Sequence, residues 1–171
     1  MARICLTAFE NRILAFDPFL DDAVFRAMTI ERRRHLRDLL PEADFLTLHT
    51  PLNDGTRHVI GAEELGLMKP TAFLINCSRG AVVDQSALAD ALREGRIAGA
   101  GVDVFDPEPA PSTNPLFALP NVIVTPHIAG VSQETTRRLS LAAAEQVMQV
   151  LGDERPPRLV NPEVWERRRR G

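Results

Sequence analysis

Short apolar runs alternate with stretches of helical spacing along almost the whole chain. This alternation limits the fold more than any other feature. The runs RILAF (12–16), FLTLH (45–49), AFLIN (72–76), GVDVF (101–105) and VIVT (122–125) have the length and the branched or aromatic content of buried strands. Between them, residues 21–28, 62–68 and 84–93 read as helices, the last with Leu88 and Leu92 four apart and Gly95 just beyond. A long amphipathic helix is expected from Ser132 to about Leu151, stopped by Gly152. Continuous apolar strands alternating with helices predict an α/β fold, with a mostly parallel, doubly wound sheet covered on both faces.

Composition closes off several function classes. The 171 residues are 44% hydrophobic and 25% charged, enough for one core of ordinary size. A net charge of −3 gives no whole-chain attraction to nucleic acid or to an anionic membrane. No apolar run approaches the ~20 residues that span a bilayer. The opening MARICLTAFENRIL lacks the apolar centre and cleavage site of a secretory signal. Cys5 and Cys77 form neither a disulfide framework nor metal-ligand spacing, so no metal is expected and a reducing cytoplasm is the expected compartment. Pro107 to Pro115 reads as a long turn, and the ERRRRG tail (166–171) as a solvated end.

Several polar residues stand just after the apolar runs, where strand ends meet loops. Asp17 precedes Pro18, and an acid there suits the hydroxyls of a ribose while repelling a 2′-phosphate. It equally suits the opening of a turn. Arg79 in NCSRG carries a guanidinium that can grip a carboxylate with two prongs. Gly80 beside it is expected to let the chain turn sharply. His127 in VTPHIAG is a proton carrier near neutrality. Glu108, between two prolines, can fix the tautomer of that histidine. Each residue alone is as readily an ordinary surface side chain. Cys77 reads as a small buried residue, His49 as structural, and His35 and His58 receive no role.

Taken together, ADFLTLHTPLNDGTRHVIGAEELGLMKPTAFLINCSRGAVVD, AGAGVDVFDPEPAP and LPNVIVTPHIAG resemble the D-isomer-specific 2-hydroxyacid dehydrogenases. The likeness runs from about Arg3 to Trp165, and LVNPEVW is similar to phosphoglycerate-dehydrogenase-like members. The resemblance implies a Rossmann-like fold, NAD as cofactor and a small 2-hydroxy or 2-keto acid as substrate. It implies catalytic roles for Arg79, Glu108 and His127. It implies cofactor contacts from Asp17, Thr50, Pro51, Cys77, Ser78, Arg79, Asp103, His127 and Gly130. The family also resembles NAD-binding transcriptional corepressors, so a non-catalytic interaction module and an inactive remnant stand as alternatives.

The chain departs from the family pattern at its start. MARICLTAFENRILAFDP looks like the end of the helix that follows the glycine-rich loop, running into the second strand. The first strand, the G-x-G-x-x-G loop and the substrate domain are therefore expected to be missing, which makes this a truncated form. Residues 1–130 would be an incomplete NAD-binding domain. Residues 131–171 would be a C-terminal helix and tail returning toward the absent region. With strand order 3-2-1-4-5-6, the 12–16 and 45–49 strands are expected on one side of a gap. The remaining three are expected on the other. A homodimer, or a complementing chain filling the gap, is the expected protein partner.

Overall fold

The computed structural model describes residues 1–168. Arg169, Arg170 and Gly171 of the arginine-rich tail lie outside the described residues. The chain divides into two compact units, Met1–His127 and Ile128–Gly171.

The first unit begins with helix α1 (Ala2–Phe9), then strand β1 (Leu14–Ala15), helix α2 (Asp22–Ala27), strand β2 (Glu31–Arg32) and a short helix α3 (Leu36–Leu39). Strand β3 (Phe45–Leu48), helix α4 (Ala62–Leu67), strand β4 (Phe73–Asn76) and helix α5 (Gln85–Arg93) follow, then strands β5 (Gly99–Val102) and β6 (Val122–Val124). All pairings are parallel. β1 pairs with β2 in a two-stranded sheet, and the other four form a sheet in the order β3-β4-β5-β6.

Alternate residues of β3 and β4 are buried. Leu46, Leu74 and Ala100 share one row, and Leu48, Asn76 and Val102 the next. Helix α5 seals this sheet with Leu88, Ala89, Ala91 and Leu92, all buried. Each fully buried leucine stabilises the fold by roughly 1.5–3 kcal/mol. The helix starts where expected because the Asp84 carboxylate accepts the Ser86 and Ala87 N–H groups at 3.0 and 3.1 Å. It ends before Gly95, whose φ of +69° is left-handed.

Two expectations fail here. The 45–48 strand does not join the 12–16 strand. It pairs with β4, Leu46 against Leu74, and the Phe45 and Phe73 rings stack at 5.6 Å. The place beside β1 belongs to β2, whose two residues are both charged and carry no apolar signal. Overlooking that strand shifts the count by one. The 101–105 strand also starts earlier and stops earlier, at Gly99–Val102. A side chain at Gly99 would lie 2.8 Å from the Asn121 carbonyl and the Phe73 ring, so the strand is built from small residues that hydrophobicity does not flag.

β2 is held by charge. Arg12 grips both Glu31 oxygens at 2.6 and 2.7 Å and reaches Glu42 at 2.9 Å. Arg33 bonds Glu42 at 2.7 Å, and Arg32 bonds Asp22 at 2.6 Å. The Arg12 hydrogen bond holds the Glu31 carboxyl down at about 2, and Arg33 and Arg32 lower Glu42 and Asp22. A depressed folded-state value means stability that is present above the unfolded value, about 4.5, and lost as pH falls through about 2. Denaturation midpoints are therefore expected to fall across that window, less steeply in high salt. Arg12→Ala should flatten the fall. An identical pH profile in that variant would show that the network contributes nothing.

The second unit is helix α6 (Gln133–Leu151), started by the Ser132 hydroxyl accepting the Thr135 N–H at 3.0 Å and capped at Gly152. Val147, Val150 and Leu151 line a groove with Leu159 and Val160. Of the described tail residues, Glu166 and Arg167 are exposed, while Arg168 is partly covered. The Arg168 guanidinium lies 3.4 Å from the centre of the Trp165 ring and pairs with Asp153. Among the described residues no helix is long and apolar enough to cross a membrane.

Candidate active site

The register of the larger sheet sets Leu48, Asn76, Val102 and Val124 in one row at its carboxyl rim. Neighbouring strands lie about 4.8 Å apart. The segments leaving that row carry Thr50 and Pro51, then Cys77 to Arg79, then Asp103 to Glu108, then Thr125 to His127. Parallel strands thus set residues up to 77 positions apart along one rim, the span from Thr50 to His127. This rim is where open α/β sheets hold ligands.

Two of the polar residues singled out from the sequence touch directly. His127 Nδ1 and Glu108 Oε2 are 3.0 Å apart. A carboxylate can only accept, so Nδ1 carries the hydrogen and Nε2 is left to take or give a proton. The glutamate is itself held, its Oε1 accepting the Phe105 N–H at 3.2 Å. The histidine backbone is also held, its N–H donating to the Asp103 carbonyl at 2.8 Å. His127 has φ +57°, a left-handed conformation uncommon for a side-chain-bearing residue and often found at working sites. An apolar cleft of about 350 Å³ opens beside the pair, lined by Phe105, Phe117, Val124 and Pro126.

Arg79 is exposed on the adjacent segment, with Nη1 donating to the Ser78 carbonyl at 2.6 Å. The chain does turn at Gly80, which opens the short 3-10 turn Gly80–Val82, but its φ is not left-handed, so the turn itself does not require glycine. A Cβ there would stand 2.0 Å from the Phe105 carbonyl carbon and oxygen and 2.7 Å from the Asp106 nitrogen. The glycine instead lets the arginine segment press against the backbone of the segment that leads to Glu108.

Asp103 is 2% exposed, and Thr125 Oγ1 donates to its carboxylate at 2.5 Å. Cys77 is exposed, contrary to the buried position expected. It is the first residue after β4, whose buried places go to Leu74 and Asn76. Desolvation, and then the Asp103 charge, push its thiol pKa up, which keeps it a poor nucleophile. Asp17 lies two residues past β1, outside the rim row. Its Oδ1 accepts the Phe19 and Leu20 N–H groups at 2.8 and 3.2 Å, the turn-opening role, and its carbonyl accepts from Arg32 at 3.1 Å. Thr56 Oγ1 donates to the Pro51 carbonyl at 2.7 Å, and Thr50 Oγ1 to the same oxygen at 3.4 Å. Gly130 belongs to the second unit. Asn76 and Thr125 were assigned no part from the sequence. For Asn76, a polar side chain at an inward place of an apolar strand was the signal.

A family model described as the D-isomer specific 2-hydroxyacid dehydrogenase, NAD binding domain, matches residues 1–129. The chain belongs to this family. It is 47% identical to a glyoxylate reductase of Korarchaeum cryptofilum, over 91% of this chain and 47% of that protein. It is 42% identical to a D-3-phosphoglycerate dehydrogenase of Methanocaldococcus jannaschii, over 90% of this chain and 29% of that one. Among solved structures, D-lactate dehydrogenase with NAD+ from Lactobacillus jensenii superposes with a TM-score of 0.83 at 32% identity, over 94% of this chain and 51% of that one. The chain spans about half or less of the length of these relatives. What the 2-hydroxyacid dehydrogenase match covers is the Rossmann-fold, NAD-binding part, and NAD is the cofactor of that domain.

Proposed function

We propose that this chain provides the catalytic face of an NAD-dependent oxidoreductase acting on the CH–OH group of a D-2-hydroxy acid, or on the matching 2-keto acid. The Glu108–His127 contact of 3.0 Å carries the proposal, because it readies one imidazole nitrogen for proton transfer on a rim shared with Arg79. In the reductive direction Arg79 holds the substrate carboxylate and 2-oxygen, and His127 Nε2 gives its proton to that oxygen as C2 gains a hydride. The imidazolium that gives this proton is stabilised beforehand by the Glu108 carboxylate on Nδ1, and it returns to neutral imidazole once the proton has left. When bound, the reduced nicotinamide supplies that hydride.

Thr50, Pro51, Cys77, Ser78 and Asp103 follow the rim row where the cofactor would lie, and Asp17 follows β1. Asp17 would accept from the adenosine ribose hydroxyls, favouring NAD over NADP, with Thr50 and Pro51 on the adenosine side. Cys77, Ser78, Asp103 and Gly130 would meet the nicotinamide half. Residues 1–130 would form this domain, and 131–171 would return toward a substrate domain. The relatives are named for glyoxylate, phosphoglycerate and sulfolactate, all small acids with the reacting carbon next to a carboxylate. β1 and β3 each have one edge without a strand partner among the described residues. A strand from a second chain or from further polypeptide would pair there, and a homodimer fits the same reading. Two free cysteines, Cys5 and Cys77, suit a reducing compartment such as the cytoplasm.

Purified chain mixed with NADH and a panel of glyoxylate, hydroxypyruvate and pyruvate is expected to consume NADH with at least one acid, and NADPH far more slowly. Saturable NADH binding without any turnover would favour a binding module. Loss of both would end the proposal.

A further inference from the structure

Asn76 stands where the sheet calls for an apolar residue. It lies in the rim row between Leu48 and Val102 and is 1% exposed. A buried amide is costly unless its polar atoms find partners. Here the amide is spent on Ser78 and Arg79, two and three residues further on. Its Oδ1 accepts the Ser78 N–H at 3.0 Å and the Ser78 hydroxyl at 2.8 Å. Its Nδ2 donates to the Arg79 carbonyl at 3.0 Å. Ser78 is buried along with it.

The backbone of Asn76 extends the same tie sideways. Its carbonyl accepts the Asp103 N–H at 3.0 Å, and the Asp103 carbonyl accepts the His127 N–H at 2.8 Å. One residue therefore links the segment carrying Arg79 to Asp103, and through it to the histidine. Leucine or valine would fill the row at least as well for packing. Neither could close the turn, because neither can hold the Ser78 amide and the Arg79 carbonyl at once. Arg79 itself is extended, with φ −140° and ψ 144°, and its guanidinium bonds the Ser78 carbonyl. With Ser78 and the Arg79 carbonyl both pinned, the direction in which the arginine side chain leaves the backbone is set.

We infer that Asn76 is a positioning residue for Arg79: its buried side-chain amide closes the Cys77–Arg79 turn so that the guanidinium is presented in one direction to a substrate carboxylate. The inference rests on the function proposed above for Arg79, but its structural half can be tested separately. Asn76→Asp keeps the acceptor for Ser78, loses the donor to the Arg79 carbonyl and sets a carboxylate against that oxygen. Asn76→Leu keeps the packing and loses every side-chain bond.

The test uses the full chain, with thermal unfolding first, then the heteronuclear NOE of the Arg79 Nε and of backbone amides 77–79. Order at Arg79 is expected to drop in both variants, while the β4 and β5 amides keep theirs. With glyoxylate as probe, the KM for the acid is expected to rise roughly tenfold, the effect of losing a buried hydrogen bond, with the KM for NADH within about twofold. A folded Asn76→Leu chain whose Arg79 is as ordered as in the parent overturns the inference. So does failure of both variants to fold, which would make Asn76 a folding residue only, and so does an equal rise in both KM values. If the parent chain shows no turnover, the functional proposal falls and the NOE measurement still decides whether Asn76 orders Arg79.

Discussion

Replacing His127 by asparagine is expected to lower turnover by roughly 10²–10⁴-fold, the usual contribution of a positioned acid or base. Asparagine is the informative choice because the backbone at 127 is left-handed, with φ +57°. Asparagine tolerates that conformation better than most residues, so the variant removes proton transfer without adding backbone strain. It also keeps an N–H to offer Glu108, whose carboxylate lies 3.0 Å from the parent Nδ1. NADH affinity, read by fluorescence, should change little. Glu108→Gln should show a smaller loss, since the amide oxygen still accepts from Nδ1 but no longer offsets the imidazolium charge. Turnover within threefold of the parent in His127→Asn would remove the histidine from the mechanism, whatever its geometry.

Gly80→Ala is expected to be the most damaging single methyl in the chain. The added carbon would sit 2.0 Å from both carbonyl atoms of Phe105. Backbone cannot swing aside as the end of a flexible side chain can, so two segments must separate. Overpacking of this kind costs ~1–3 kcal/mol, and a clash with backbone belongs at the upper end or beyond. In a chain of this length that corresponds to a fall in Tm of roughly 6–12 °C. The displaced Phe105 N–H is the donor that holds Glu108 at 3.2 Å, so the Glu108–His127 contact should loosen as well. Gly66→Ala is the control. Gly66 lies within helix α4 with open space at its Cβ position, and alanine there should stabilise by about 0.4–1 kcal/mol. Equal melting temperatures for the two alanine variants would show that the close approach at Gly80 is not a real constraint.

The parts of the fold legible in the sequence were those whose signal is local. Helix α6 begins at the Ser132 cap and ends at Gly152, and α5 runs from the Asp84 cap to the turn at Gly95, as their cap residues indicated. The β4 strand announced itself through a run of branched and aromatic residues. β2 could not be read this way. Glu31 and Arg32 have no strand-like pattern, and they form a strand because β1 lies beside them and Arg12 and Arg33 neutralise the acids. Missing it misplaced β3, since sheet order depends on the number of strands counted. The tail arginine Arg168 was likewise unreadable, because its place against Trp165 and Asp153 is a matter of contact, not composition.

For the site, Arg79, Glu108 and His127 were marked out by the motifs NCSRG, DVFDPEPAP and VTPHIAG taken together and by the family they resemble, since each residue alone reads as readily as an ordinary surface side chain. What the sequence by itself determined was which groups were present and which local elements carried them. Only the tertiary structure decided that β3 pairs with β4, that Glu108 meets His127, that Gly80 is needed for close approach, and that Asn76 spends its amide on the arginine's turn. The physical reason is range. Capping and periodicity act over a few residues and are written in the order of the chain. Strand pairing, backbone contact and the burial of an amide depend on which distant segments lie side by side.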